Sequence, residues 1–111
     1  MSQKTDSRFV RGSGNVFADV GLPNAEDALA KAKLAEAIAE AIERGNLTQT
    51  ETAALLGVDQ PKVSRIVNGR LDGFTQDRLM RYLRALGEDV EIRVTHPNEG
   101  RREGRLTVKI D

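Results

Sequence analysis

Gln60, Lys62, Ser64 and Arg65 are the side chains of this chain best equipped to act on another molecule. In a helix they fall on the outer surface, while Val63, Ile66 and Val67 recur at the spacing of a buried face. A glutamine amide can bond adenine's N6/N7 edge twice over, and lysine or arginine can bond guanine's O6 and N7. The major groove of duplex DNA is where such edges distinguish all four base pairs. The pattern therefore predicts a short helix that presents its polar face to base edges and its apolar face to a core. Arg70, just past its carboxyl end, is placed for a phosphate.

Such a helix has to be positioned, and the residues before it are suited to that. Thr48 and Glu51 have the spacing of a capping box, with Leu47 just ahead of the cap. Ala53, Leu55 and Leu56 supply an apolar stripe, and Gly57 can take positive φ to end this helix in a sharp turn. Val58 packs into the corner and Asp59 caps the next helix. Pro61 falls in the first turn, where its missing N–H costs nothing. Asn68-Gly69 stops the second helix. Two short helices joined by a glycine turn form a helix-turn-helix unit. The amino end of the first, with Thr48 and Gln49, faces the place a phosphate would occupy. An ordinary αα-hairpin is the competing reading, but it gives no reason for a Gln-Pro-Lys-x-Ser-Arg face on the shorter helix.

Leu47-Thr48-Gln49, Leu56-Gly57-Val58, Gln60 and Asn68-Gly69 together resemble the phage repressor/Cro (XRE) family of helix-turn-helix regulators. The resemblance implies a λ-repressor-like helical bundle that binds DNA. Pro61 departs from the family pattern, which more often has a small polar residue able to touch a base there.

Composition narrows the alternatives. The chain has 111 residues and no cysteine, which fits one domain in a reducing interior and excludes a disulfide framework or thiolate zinc site. No long apolar run exists and the start is polar, so neither a membrane span nor a signal peptide is expected, and a cytoplasmic location is. The net charge is zero, but it is unevenly spread. Residues 24 to 43 hold two lysines against five acids, whereas residues 44 to 84 hold seven basic groups against four acids. Local field steers a polyanion, so the excess lies where DNA binding needs it. His96 is the only histidine, beside Pro97, and reads as a surface turn residue. Without a second histidine or a cysteine no Ser/His/Asp or His/Cys metal constellation can form, which leaves only carboxylate metal sites open, and an enzyme is not expected.

Taken in order, residues 1 to 23 read as a flexible arm, yet Phe9, Val16, Phe17 and Leu22 make it unusually apolar. Two readings stand: the arm packs on its own domain, or it docks on a partner. Residues 24 to 87 form the helical domain, with Asn24 capping a long first helix. Ala28, Ala32, Ala35, Ala39 and Ile42 make one stripe of that helix, with Leu34 and Ile38 beside it. Thr75 caps a last helix whose apolar face is Leu79, Tyr82, Leu83 and Leu86, while Arg78, Arg81 and Arg84 lie on a solvated face. Val90, Ile92 and Val94 then alternate with polar residues, as do Leu106, Val108 and Ile110. Residues 88 to 111 are thus expected to form a β-hairpin, which needs the helical domain, a second copy or another protein to cover its apolar face. The expected fold is mainly α, a bundle of four to five helices with this hairpin behind and the arm in front.

The order of arm, alanine-rich helix, helix-turn-helix and Val90-Glu91-Ile92-Arg93-Val94 is similar to the HigA-type antitoxins. That resemblance implies a homodimer on double-stranded operator DNA that represses its own operon and neutralises a RelE-like mRNA-cleaving toxin. It carries the DNA role to Gln49, Gln60, Lys62, Ser64 and Arg65, and phosphate contacts to Asn68 and Arg70. Toxin contact would fall on the arm around Phe9, Val16, Phe17 and Leu22. The alternative is a stand-alone dimeric regulator of the same family with no toxin partner.

Overall fold

A computed structural model describes residues 25–97, 100 and 103–111. The arm, with Phe9, Val16, Phe17 and Leu22, and the expected cap Asn24 lie outside the described residues. By its internal contacts the chain divides into two units, Met1–Ala30 with Arg105–Thr107, and Lys31–Gly104 with Val108–Asp111. In the described part of the smaller unit the Leu106 N–H donates to Glu26 Oε2 at 3.3 Å.

The described residues form four helices: α1 Ala25–Arg44, α2 Gln49–Leu56, α3 Gln60–Val67 and α4 Gln76–Ala85. Each boundary has a local chemical cause. Acidic Glu26 and Asp27 sit in the first turn of α1 and Arg44 in its last, matching the helix dipole at both ends. Thr75 accepts from the Arg78 N–H at 3.1 Å to start α4. Beyond α4, Gly87 takes φ 91°, a conformation that favours glycine.

The core of the larger unit joins α1, α3 and α4. Leu34, Ala35 and Ile38 of α1 pack with Ile66 of α3, with Leu79, Tyr82 and Leu83 of α4, and with Phe74. Ile38 and Leu79 are wholly buried, and full burial of such a side chain contributes about 1.5–3 kcal/mol. The α4 face matches expectation, with Leu86 half-buried beside it. On α1 the buried face is rotated from the expected alanine stripe: Ala30, Leu34, Ala35, Ile38 and Ala41 are buried, whereas Ala32 is exposed. This helix carries alanines on every side, so alanine does not fix its phase; the larger Leu34 and Ile38 do, because they bury more area.

The expected β-hairpin is not found among the described residues. Among the described residues of 88–111 no strand is formed, and Ile92 and Val94 are 77 % and 89 % exposed. Val90 and Val108 do pack against the core, the first residue of one apolar series and the middle residue of the other. A two-stranded hairpin without a covered face is marginal in water, and here Ile92 and Val94 find no surface to cover them. Arg44 ties the start of this tail down, donating to Glu88 Oε1 at 2.8 Å.

Candidate nucleic-acid interface

The framework of the interface is α2, the turn and α3. Thr48 Oγ1 accepts from the Glu51 N–H at 3.0 Å while Glu51 Oε1 accepts from the Thr48 N–H at 2.8 Å, completing the capping box. Thr52, fully buried, spends its hydroxyl on the Thr48 carbonyl at 2.8 Å. Gly57 takes φ 72° and its N–H returns to the Ala53 carbonyl, as does the Val58 N–H at 3.0 Å. A side chain at residue 57 would meet no atom within 4 Å, so the left-handed backbone alone demands glycine there. Leu55, expected in the buried stripe, is 52 % exposed; Ala53 and half-buried Leu56 carry the packing.

Asp59 Oδ1 then accepts from the Lys62 N–H at 3.3 Å, and Pro61 occupies the first turn of α3. Val63 and Ile66 are each 1 % exposed, which pins the inner face of α3. Val58 ahead of the cap and Val63 stand in the register of a hydrophobic staple, which sets the angle at which the chain enters α3. With two side chains locked in the core, the rotation of α3 about its axis is fixed, and so is the direction of its outer residues.

On that outer face Gln60 and Pro61 are exposed and Lys62 and Ser64 are half-exposed. The side chains of Gln49, Gln60, Lys62 and Arg70 have no hydrogen-bond or ion-pair partner among the described residues. Their donors and acceptors are therefore met by water and are available to another polar surface. Asn68 is engaged: its Nδ2 donates to the Ser64 carbonyl at 2.8 Å and lies 3.4 Å from Ser64 Oγ, closing the end of α3.

Arg65 is engaged more firmly. Its guanidinium donates to the Asp72 carbonyl and lies over the Phe74 ring, 5.0 Å from the centroid. Arg78 approaches the same ring at 5.5 Å and donates to the Tyr82 hydroxyl at 3.0 Å. Phe74 and Tyr82 meet edge to face with centroids 6.4 Å apart. Two cations on one buried ring, each also hydrogen-bonded, brace the loop between α3 and α4. That loop turns at Gly69 and Gly73, with φ 75° and 84°, and the Arg70 N–H returns to the Arg65 carbonyl at 2.8 Å. The bracing holds exposed Arg70 beside the carboxyl end of α3.

Phe74 and Arg78 are thus structural residues of the interface that spacing arguments overlooked. A signal was present: Phe74 precedes the cap Thr75 and Leu79 follows in the register of a hydrophobic staple, and both are buried. For Arg78 the reading as a solvated side chain is corrected, because its guanidinium serves two aromatic rings.

Among the described residues no helix is long and apolar enough to cross a membrane, and no cluster of residues is suited to a metal ion. No curated protein matches the chain. A solved structure of an XRE-family transcriptional regulator is similar over 80 % of this chain and 100 % of its own, with 42 % identity and a TM-score of 0.73. The family described as "Helix-turn-helix domain" matches residues 16–95. The chain belongs to the XRE family of helix-turn-helix regulators.

Proposed function

We propose that the chain is an operator-binding transcriptional repressor that reads DNA with α3 and acts as a homodimer. The observation that carries this reading is the division of α3 between two wholly buried residues, Val63 and Ile66, and an outer face whose Gln60 and Lys62 have no partner among the described residues. Gln60 and Lys62 read base edges in the major groove, and the Ser64 hydroxyl adds a contact. Gln49 and the Thr48 end of α2, with Asn68 and Arg70 beyond α3, hold phosphates and fix the register. Pro61 donates nothing and contributes shape. Arg65 reaches DNA with the donors left over from the Asp72 carbonyl, since a guanidinium has five.

One α3 helix covers only a few base pairs, so selectivity in a genome calls for two half-sites. A two-fold dimer places them about 34 Å apart, one helical turn of DNA. The finer part of the proposal is that the chain is also an antitoxin of the HigA type, neutralising a RelE-like toxin through the arm around Phe9, Val16, Phe17 and Leu22. Its support is the order of segments along the sequence. Co-expression with an adjacent reading frame, followed by pull-down and by a gel shift on the shared promoter, tests both parts. Capture of a small basic protein together with promoter binding is expected. Promoter binding with no captured protein and no rescue from toxicity would leave the stand-alone regulator.

A further inference from the structure

The segment Val90 to Val94 reads Val-Glu-Ile-Arg-Val, and among the described residues it pairs with no strand. Val90 is half-buried against the core, but Ile92 and Val94 are 77 % and 89 % exposed. An apolar series that starts on the core and continues into water is an incomplete surface. We propose that this segment pairs antiparallel with the same segment of a second copy of the chain, with Ile92 opposite Ile92 on the two-fold axis.

The register follows from the order of the side chains. The segment has the same chemistry read in either direction: apolar at both ends and the centre, with an acid and a base between. Centred on Ile92, Glu91 faces Arg93 of the second copy and Arg93 faces its Glu91, so both charged pairs are opposite in sign. Val90 faces Val94 of the second copy, so each exposed valine is carried back towards the other copy's core. Sliding the pairing to centre on Glu91 or on Arg93 puts like charges face to face. A parallel in-register arrangement does the same. Antiparallel pairing with the other alternating segment, Ile92 opposite Val108, matches Glu91 with Lys109 but sets Arg93 against Thr107, one charged pair where the self-pairing makes two. Two-fold contacts are self-complementary by necessity, and this one is so residue by residue. Its backbone bonds would be those of strand addition at an open edge.

The inference rests on the reading of the chain as a dimeric DNA-binding regulator, and one set of variants separates the two. Sedimentation velocity on the full chain at micromolar concentration should show a dimer for wild type and monomers for Glu91→Arg and for Arg93→Glu. An equimolar mixture of those two variants should recover the dimer, because one then carries two bases opposite the other's two acids. Circular dichroism confirms that both keep their helices. The chain has no cysteine, so Ile92→Cys supplies a single thiol. Opposed Cα atoms in an antiparallel pair lie about 4.5–5.5 Å apart, within disulfide reach, and mild oxidation should yield covalent dimer. Thr107→Cys should not. Operator affinity of each reversed variant should fall on the order of a hundredfold, as linkage between two binding heads is lost. A wild-type monomer, a dimer indifferent to both reversals, or a mixture that stays monomeric would overturn the interface. If the wild-type dimer forms as described yet binds no promoter DNA, the DNA reading fails and the interface stands.

Discussion

Lys62 and Gln60 differ from Arg65 in a way that the residue types alone conceal. All three lie on the polar side of α3, but Arg65 is committed to the Asp72 carbonyl and the Phe74 ring. Lys62→Ala should therefore lose about 1–3 kcal/mol of base discrimination with no loss of stability, since its side chain has no partner among the described residues to forfeit. Gel shifts on matched and single-substituted operator fragments, beside urea unfolding, measure both. Arg65→Ala should lower operator affinity and also stability, by about 1 kcal/mol for the lost cation–π contact and hydrogen bond. Arg70→Ala should weaken binding alike on every sequence, and the slope of log K against log salt should shrink by about 0.9. Ile66→Ala removes a side chain 1 % exposed and should cost about 2–5 kcal/mol, read from the urea midpoint.

At the scale of elements, caps and turns were legible because they are local. Thr48 with Glu51, Gly57, Asp59 and Thr75 act within four residues of themselves, and each takes the expected role. Thr48→Ala should lower stability by about 1 kcal/mol through the lost N-cap, and Gly57→Ala by about 1–2 kcal/mol through left-handed strain; thermal or urea unfolding of each variant checks this. What escaped the sequence was anything set by distant packing. The many alanines of α1 give its rotation no phase, and nothing local to Phe74 announces that it seats two arginines and meets Tyr82. Leucine type alone does not say which way Leu55 faces, and it lies 52 % exposed while Leu56 is half-buried against the core. The outward-facing set of α3 was legible as a set, since burial of Val63 and Ile66 dictates it, but the state of each member was not.

For the whole molecule the instructive error is the hairpin. Alternation at Val90, Ile92 and Val94 states that one face wants cover; it does not state that the cover belongs to the same chain. The same holds for the arm, whose Phe9, Val16, Phe17 and Leu22 await a test of partner or packing. Deleting residues 1 to 22 should spare promoter binding, because the core residues of the larger unit all lie beyond it. In toxin-expressing cells the truncated chain should rescue growth less well than the full chain.

The central claim is that α3 lies in the major groove at two half-sites. Protection of guanine N7 from dimethyl sulfate on the chain's own promoter tests it most directly, since N7 opens only into that groove. Two protected clusters about 34 Å apart are expected for wild type, both lost in Lys62→Ala combined with Gln60→Ala. Unprotected guanines under a bound wild-type chain, or the same protection from the double variant, would contradict it.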